Sequence, residues 1–373
     1  MPATLERPTY PGGDIRHEDE APDRPLTPIV ASGPAHVLGH VRIACIVAAH
    51  NEEHGIAGTL ESLWWQTRAP DLIIVAADNC DDETAGVARA CGADVVFDTV
   101  GNRDRKAGAL NQALSLIERC DYLVQVDADV ELSPHFVQRA VELMERDDRI
   151  GAVGAMATVR AEGGFLNLMQ RMWFVRYSFI ESGRGLHPHC LDGKGVVFRR
   201  AALDAIGPAP WDGRSIVEDF TIGRELVRRG WRTRRVASEW AAGEGKRSTR
   251  DLFIQHVRWT GGTMKELRRF GVHIWTVRPI AEHLFEALET LLFFGWIAAM
   301  VAGAPMAWWL VALWLPASVI ENVVMVWPLG WAARLTALAF VPNLVTSLVA
   351  WKGPFWVGVW RTLWNRDIVW ERR

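Results

Sequence analysis

Tyr122-Leu123-Val124-Gln125-Val126-Asp127-Ala128-Asp129 is an apolar run that breaks abruptly at two carboxylates one residue apart. A short apolar run bounded by turn-forming acids reads as a strand buried on both faces. Upstream, Ile43–Ala48, Leu72–Ala76 and Val95–Phe97 have the same character, and the second also leads into acids, Asp78-Asn79-Cys80-Asp81-Asp82. Between these runs, Glu53–Gln66, Asp82–Cys91 and Arg105–Arg119 carry apolar residues at helical spacing. Strands alternating with helices from Val41 to about Met156 predict βαβ units, hence a Rossmann-like α/β domain whose mainly parallel sheet is flanked by helices. Downstream, Ser133-Pro134 reads as an N-cap with proline at the first helical position, opening a helix to Met144. From Ala157 to about Phe270 the pattern is less regular and richer in glycine turns, and reads as the second half of the same domain.

The flanks differ in kind. Residues 1–40 are rich in proline, glycine and charge, with no basic-then-apolar signal, and read as a disordered leader. Residues 271–373 read as interfacial and membrane helices. Thr290–Ile320 holds no charged residue over 31 positions, and one span needs about 20. Extending the run to His283 and Trp327 makes room for two helices turning at Gly303-Ala304-Pro305, and Ala332–Trp351 supplies a third. Most of the 19 tryptophans lie beyond Val272, and tryptophan favours the membrane–water interface. A net charge of −3 argues against nucleic acid as a partner. The five cysteines form no CxxC pair and fit free thiols in a reducing compartment. His187-Pro188-His189-Cys190 lacks a distant fourth zinc ligand at a recognised spacing and reads as a structural loop.

In an open α/β sheet, ligands bind beyond the carboxyl ends of the strands. Asp127 and Asp129 sit there and offer hard oxygen ligands to a divalent cation. Asp78 is placed to accept hydrogen bonds from a base or ribose, while Asp82 reads as a helix cap. Val217-Glu218-Asp219 precedes an amphipathic segment, Phe220–Arg229, where a carboxylate can act as a general base or serve the helix dipole. In Gln255-His256-Val257-Arg258-Trp259, helical spacing puts Gln255, Arg258 and Trp259 on one face, joining a phosphate-gripping guanidinium to a flat ring that a sugar can pack on.

Taken in order, these pieces resemble the family 2 glycosyltransferases. Ile46–Glu53 (IVAAHNEE) is similar to the family's opening strand and Asn-Glu turn, and Val75–Thr84 (VAADNCDDET) to its second acidic motif. Asp127 and Asp129 match its DxD, Glu218-Asp219 its ED pair, and QHVRW the QxxRW of the membrane-bound synthase branch that makes cellulose, chitin, hyaluronan and poly-N-acetylglucosamine. The resemblance runs from about Arg42 to Phe270. It implies a GT-A domain over residues 41–270 followed by C-terminal membrane helices, and a metal-dependent, inverting transfer of a sugar from a nucleotide-sugar, UDP-linked by family habit.

On the same resemblance Asp219 is the catalytic base, and Asp78, Lys106, Asp127 and Arg258 bind the donor. Gly193, Glu218, Gln255 and Trp259 lie on the acceptor side, and Asp127 with Asp129 holds Mg or Mn. The acceptor is a glycan, a lipid or a protein; membrane lipids are the other partners, and the chain is multi-pass with its catalytic half on the cytoplasmic face. The alternative is an inactive membrane scaffold that binds nucleotide or glycan. Three departures from the family pattern stand out: Ala77 replaces an acid, Val217 replaces a threonine, and Arg105-Lys106-Ala107-Gly108 stands where an RGKG-like turn is usual.

Overall fold

A computed structural model describes residues 38–182, 190–273, 276–304 and 353–364. The chain divides into two compact units. Among the described residues, the larger holds 38–160, 177–182 and 190–244, and the smaller holds 161–176, 245–273, 276–304 and 353–364.

The larger unit is built on an eight-stranded sheet of order β3-β2-β1-β4-β7-β6-β8-β5. Its strands are β1 (Leu38–Ala49), β2 (Leu72–Ala77), β3 (Val95–Asp98), β4 (Ile117–Asp127), β5 (Glu131–Leu132), β6 (Ile150–Val159), β7 (Gly195–Arg199) and β8 (Arg232–Gly243). The first four pair in parallel, as the sequence predicts. Beyond them the sheet is mixed, because β7 runs antiparallel to both β4 and β6. The parallel strands are joined through α1 (Ile56–Trp64), α2 (Thr84–Ala90) and α3 (Arg105–Ser115). Later come α4 (Phe136–Arg146), α5 (Phe165–Ser182), most of which belongs to the smaller unit, α6 (Arg200–Asp204) and α7 (Glu218–Arg228).

Each central strand buries both faces, which is why its sequence is a continuous apolar run rather than an alternating one. Ile43, Cys45 and Val47 of β1 join Ile56, Leu60 and Leu63 of α1 and the apolar face of α4 in one core. Ala44 and Ile46 face the other way, towards Leu110 and Leu114 of α3 and Ile222 and Leu226 of α7. On β4, Tyr122, Val124 and Val126 belong to the first face and Leu123 to the second. Side chains two apart share a face, so Gln125 and Asp127 lie on the α3/α7 side.

Register then fixes the site. Ala48 pairs with Ala76 on one side and with Asp127 on the other. The carboxyl ends of β1, β2 and β4 are therefore level, and between β1 and β4 the strand order reverses. That reversal opens the crevice in which α/β sheets bind ligands.

Two local expectations change. The helix predicted to start at Ser133-Pro134 begins at Phe136, and Ser133 Oγ instead donates to Glu239 Oε2 at 2.7 Å and accepts from Trp240 N at 3.0 Å. A buried carboxylate on β8 takes the hydroxyl that local sequence offers to a cap. Likewise α3 stops at Ser115, because Ile117 and Cys120 are drawn into β4.

In the smaller unit lie α8 (Thr249–Phe270), α9 (Val277–Val301) and α10 (Gly353–Leu363). Ser248 caps α8 by accepting from Asp251 N. Helix α9 ends at Val301, and Gly303 beyond it has a φ of 71°; Pro305 of the expected turn lies outside the described residues. Among the described residues no helix is long and apolar enough to cross a membrane. The third expected span and most of the second lie outside the described residues.

Candidate active site

Beyond β2, Asp78 is buried, and its Oδ1 accepts from Thr99 Oγ1 at 2.6 Å, Asn102 Nδ2 at 2.7 Å and Asn79 Nδ2 at 2.9 Å. Its carbonyl accepts from His50 Nδ1 at 2.6 Å. Three donors on one oxygen fix the orientation of the carboxylate. Asp82 lies one residue before Glu83, the N-cap of α2; its Oδ1 accepts from Thr84 N at 3.0 Å and its Oδ2 from Glu53 N at 3.1 Å.

At the end of β4, the Asp127-Ala128-Asp129 backbone is gripped from both sides. Thr59 Oγ1 donates to the Ala128 carbonyl at 2.8 Å, and Arg160 Nη1 to the Asp129 carbonyl at 3.2 Å. Lys106, from the first turn of α3, places Nζ 2.5 Å from Asp127 Oδ1 and 3.0 Å from Glu218 Oε1. Burial opposes the ammonium charge, but Asp127 and Glu218 override it and hold the lysine above its ordinary pKa. Even so, burial, with Asp129 and Glu218 adding to it against the pull of Lys106, pushes Asp127 up to about 6.

Glu218 and Asp219 occupy the first turn of α7. Asp219 Oδ2 accepts from Gly193 N at 3.1 Å and Oδ1 from Phe220 N at 2.7 Å. Burial first, then the charge of Glu218, raises its carboxyl above the usual range, while Lys106 and the Gly193 amide pull it down. A carboxylate so placed is a stronger base than one in water.

Gly193 belongs to the loop that enters β7. There Asp192 (φ 50°) is paired with Arg235 Nη1 at 2.6 Å, and Arg235 Nη2 donates to the Cys190 carbonyl at 2.7 Å. Ligand atoms of Cys190, Asp192 and Asp219 lie within 4.8 Å of one another; Arg235 meets the Asp192 charge. A Cβ on Gly193 would stand 2.8 Å from Lys106 Nζ and 3.3 Å from Gln125 Nε2, so only glycine fits unmoved.

Asp127, Glu218, Asp219 and Gly193 are thus assembled around Lys106, with Asp129 following on the same strand end and Asp78 on the next. Gln255, Arg258 and Trp259 lie on α8, in the other unit, and the expected helix is present there. Trp259 stacks on Trp173 with centroids 5.6 Å apart, and buried His256 meets both rings edge-on at 5.1 and 4.7 Å. Sequence reasoning passed over Thr99, Asn102, Gln125 and Trp211. The one available signal was Gln125, a polar residue inside a buried strand.

A half-parallel, half-mixed sheet with acids at the ends of β2 and β4 and a third pair opening α7 defines a GT-A-like glycosyltransferase. A family model described as "Glycosyltransferase like family 2" matches residues 40–262, and the chain belongs to that family. Among curated relatives it is 27% identical over 313 residues to glucomannan 4-beta-mannosyltransferase 7 of Arabidopsis thaliana, covering 80% of this chain and 54% of that protein. It is 26% identical over 259 residues to the poly-beta-1,6-N-acetyl-D-glucosamine synthase of Staphylococcus aureus (strain COL), covering 67% and 62%. The chain thus spans about half the length of the first of these relatives. A mannosyltransferase of Pyrobaculum calidifontis, solved in complex with GDP-Man and Mn2+, shares the fold at a TM-score of 0.62 and 19% identity, over 87% of this chain and 88% of that one.

Proposed function

We propose that this glycosyltransferase moves a sugar from a nucleotide-sugar, UDP-linked by family habit, to a glycan, lipid or protein hydroxyl by a single inverting displacement. One observation carries the reading: Lys106 draws the β4 acid Asp127 and the α7 acid Glu218 together beside Asp219, a buried carboxylate of raised basicity. Asp219 takes the proton of the acceptor hydroxyl as its oxygen attacks the anomeric carbon. The carbon–oxygen bond to the diphosphate breaks on the opposite face, its electron pair leaves with the nucleoside diphosphate, and the anomeric centre inverts.

Asp127 and Asp129 fit a hard divalent cation, Mg2+ or Mn2+. Both offer oxygen donors, and burial first, then the charges of Asp129 and Glu218, raises Asp127 to about 6 against the pull of Lys106. When bound, such a cation neutralises diphosphate charge. Asp78 takes the nucleoside, and Lys106 binds the donor. Gly193 and Glu218 border the acceptor, and the QxxRW resemblance assigns Gln255 and Trp259 to the acceptor and Arg258 to the donor. Residues 41–270 form the catalytic domain, and residues 271–373 attach it to a membrane with the catalytic half on the cytoplasmic face.

The test is a panel of nucleotide-sugars incubated with purified protein and Mn2+ or Mg2+, monitoring nucleotide release. One donor should be turned over, and Asp129→Ala should abolish that turnover. Asp219→Asn should lower transfer by about 10³-fold while donor binding is kept; loss of donor binding in that variant refutes the base assignment.

A further inference from the structure

Behind Asp219 lies a buried chain of hydrogen bonds that the reaction does not itself require. Gln125 and Trp211 are each 1% exposed. Trp211 Nε1 donates to Gln125 Oε1 at 2.9 Å, and Gln125 Nε2 donates to the Gly193 carbonyl at 3.3 Å. Trp211 is itself held at both backbone groups: Asn111 Nδ2 donates to its carbonyl at 2.8 Å, and its N–H donates to Asn111 Oδ1 at 3.2 Å. Indole nitrogen is a donor only. It therefore demands the oxygen end of the Gln125 amide, and leaves the NH2 end facing Gly193. The order of the chain is thus set by chemistry and not by an arbitrary choice of amide rotamer.

Gly193 transmits this order, since its N–H donates to Asp219 Oδ2 at 3.1 Å while its carbonyl takes the Gln125 bond. With no side chain at 193, the backbone has no steric anchor of its own. We propose that Gln125, oriented by Trp211, is a positioning residue that clamps the Gly193 backbone and so holds its amide on Asp219. The proposal rests on the reading of Asp219 as the base for its meaning, and on the geometry alone for its existence.

Loosening the clamp withdraws a hydrogen bond from the charged form of Asp219, so its affinity for a proton rises. Among the described residues, the other groups facing Asp219 are Glu218 on α7, Lys106 on α3, and Cys190 and Asp192 on the loop, the last carrying Arg235 of β8 behind it. None of these is altered by substitutions at 125 or 211.

The experiment follows the carboxyl directly. The full chain is labelled with 13Cγ-aspartate, and the Asp219 resonance is identified as the one missing from Asp219→Asn. Its titration midpoint is then compared in wild type, Gln125→Leu and Trp211→Phe, the last keeping an aromatic ring but losing the N–H. Both variants should move the midpoint upward by about one pH unit, the scale of one weakened charge-assisted hydrogen bond. A general loss of packing would broaden signals or lower the melting temperature without that shift. An unmoved midpoint in folded Trp211→Phe and Gln125→Leu overturns the proposal, and a shift in Gln125→Leu alone overturns the orienting role of Trp211. A shifted midpoint together with full transfer by Asp219→Asn sinks the base assignment and leaves the clamp standing.

Discussion

His256 shows how much a single buried side chain can be asked to report. Enclosed by Trp173 and Trp259, it is pushed down to about 3 by burial. In the unfolded chain its pKa is about 6.5, so below that pH the unfolded state gains a proton the folded state refuses. The stability that depends on a neutral His256 is therefore complete above pH 6.5 and lost as pH falls towards 3. Between pH 6.5 and 5 the loss is about 2 kcal/mol. His256→Phe should fill the same aromatic cluster and flatten this part of the pH–stability curve; melting temperatures at pH 7 and pH 5 check it, and equal slopes in both proteins reject it. At this scale the sequence displayed Asp78, Asp127, Asp129 and Asp219 because each follows or opens an element. Thr99, Asn102 and Trp211 were illegible, since nothing local says that a threonine and an asparagine will donate to Asp78, or that a tryptophan will reach a glutamine 86 positions away.

Elements are placed by contacts that admit no extra atom. Gly154 of β6 lies beneath the Gly193 loop, where an added Cβ would stand 2.7 Å from the Leu191 carbonyl oxygen. That atom is backbone and cannot swing aside, so Gly154→Ala should cost about 1–3 kcal/mol and slow transfer by displacing the loop. Gly223 of α7 makes the matching control. Its Cβ would meet Leu191 side-chain atoms at 3.5 Å, an ordinary contact, and alanine in a helix gains about 0.5–1 kcal/mol over glycine. Gly223→Ala should therefore be neutral or stabilising, and thermal unfolding of the two variants separates the cases; equal effects would show that the loop yields at Leu191. Periodicity read β1 to β4 and α1 to α3 from sequence because parallel strands buried on both faces leave unbroken apolar runs. It misread Ser133-Pro134 as a helix start, since the residue that claims Ser133 is Glu239, more than a hundred positions away. The mixed half of the sheet was likewise hidden, as β7 is a five-residue strand whose direction is set by pairing with β4 and not by its own pattern.

For the molecule as a whole, the proposed membrane attachment is tested through α9. Leu284, Leu288 and Leu291 are 67%, 54% and 58% exposed, and Phe294 is 46% exposed. Spacings of four and three residues place them along one stripe. Glu282, Glu286 and Glu289 interrupt the same helix, which accounts for its failure as a spanning segment and suits a helix lying in the interface with one apolar side turned to lipid. Fully burying each leucine removes about 1.5–3 kcal/mol worth of exposed apolar surface from water. Leu284→Glu with Leu291→Glu should therefore weaken binding of the full chain to phosphatidylglycerol–phosphatidylcholine vesicles by at least tenfold, read by flotation. Transfer to a soluble acceptor should be unchanged, since no residue of α9 belongs to the acid cluster around Lys106. If the double variant floats like wild type, the stripe does not contact lipid and attachment lies elsewhere in residues 271–373. If it fails to float and also loses transfer, α9 acts on the catalytic unit as well, and the division of labour between an acid-bearing sheet and an anchoring helix is wrong.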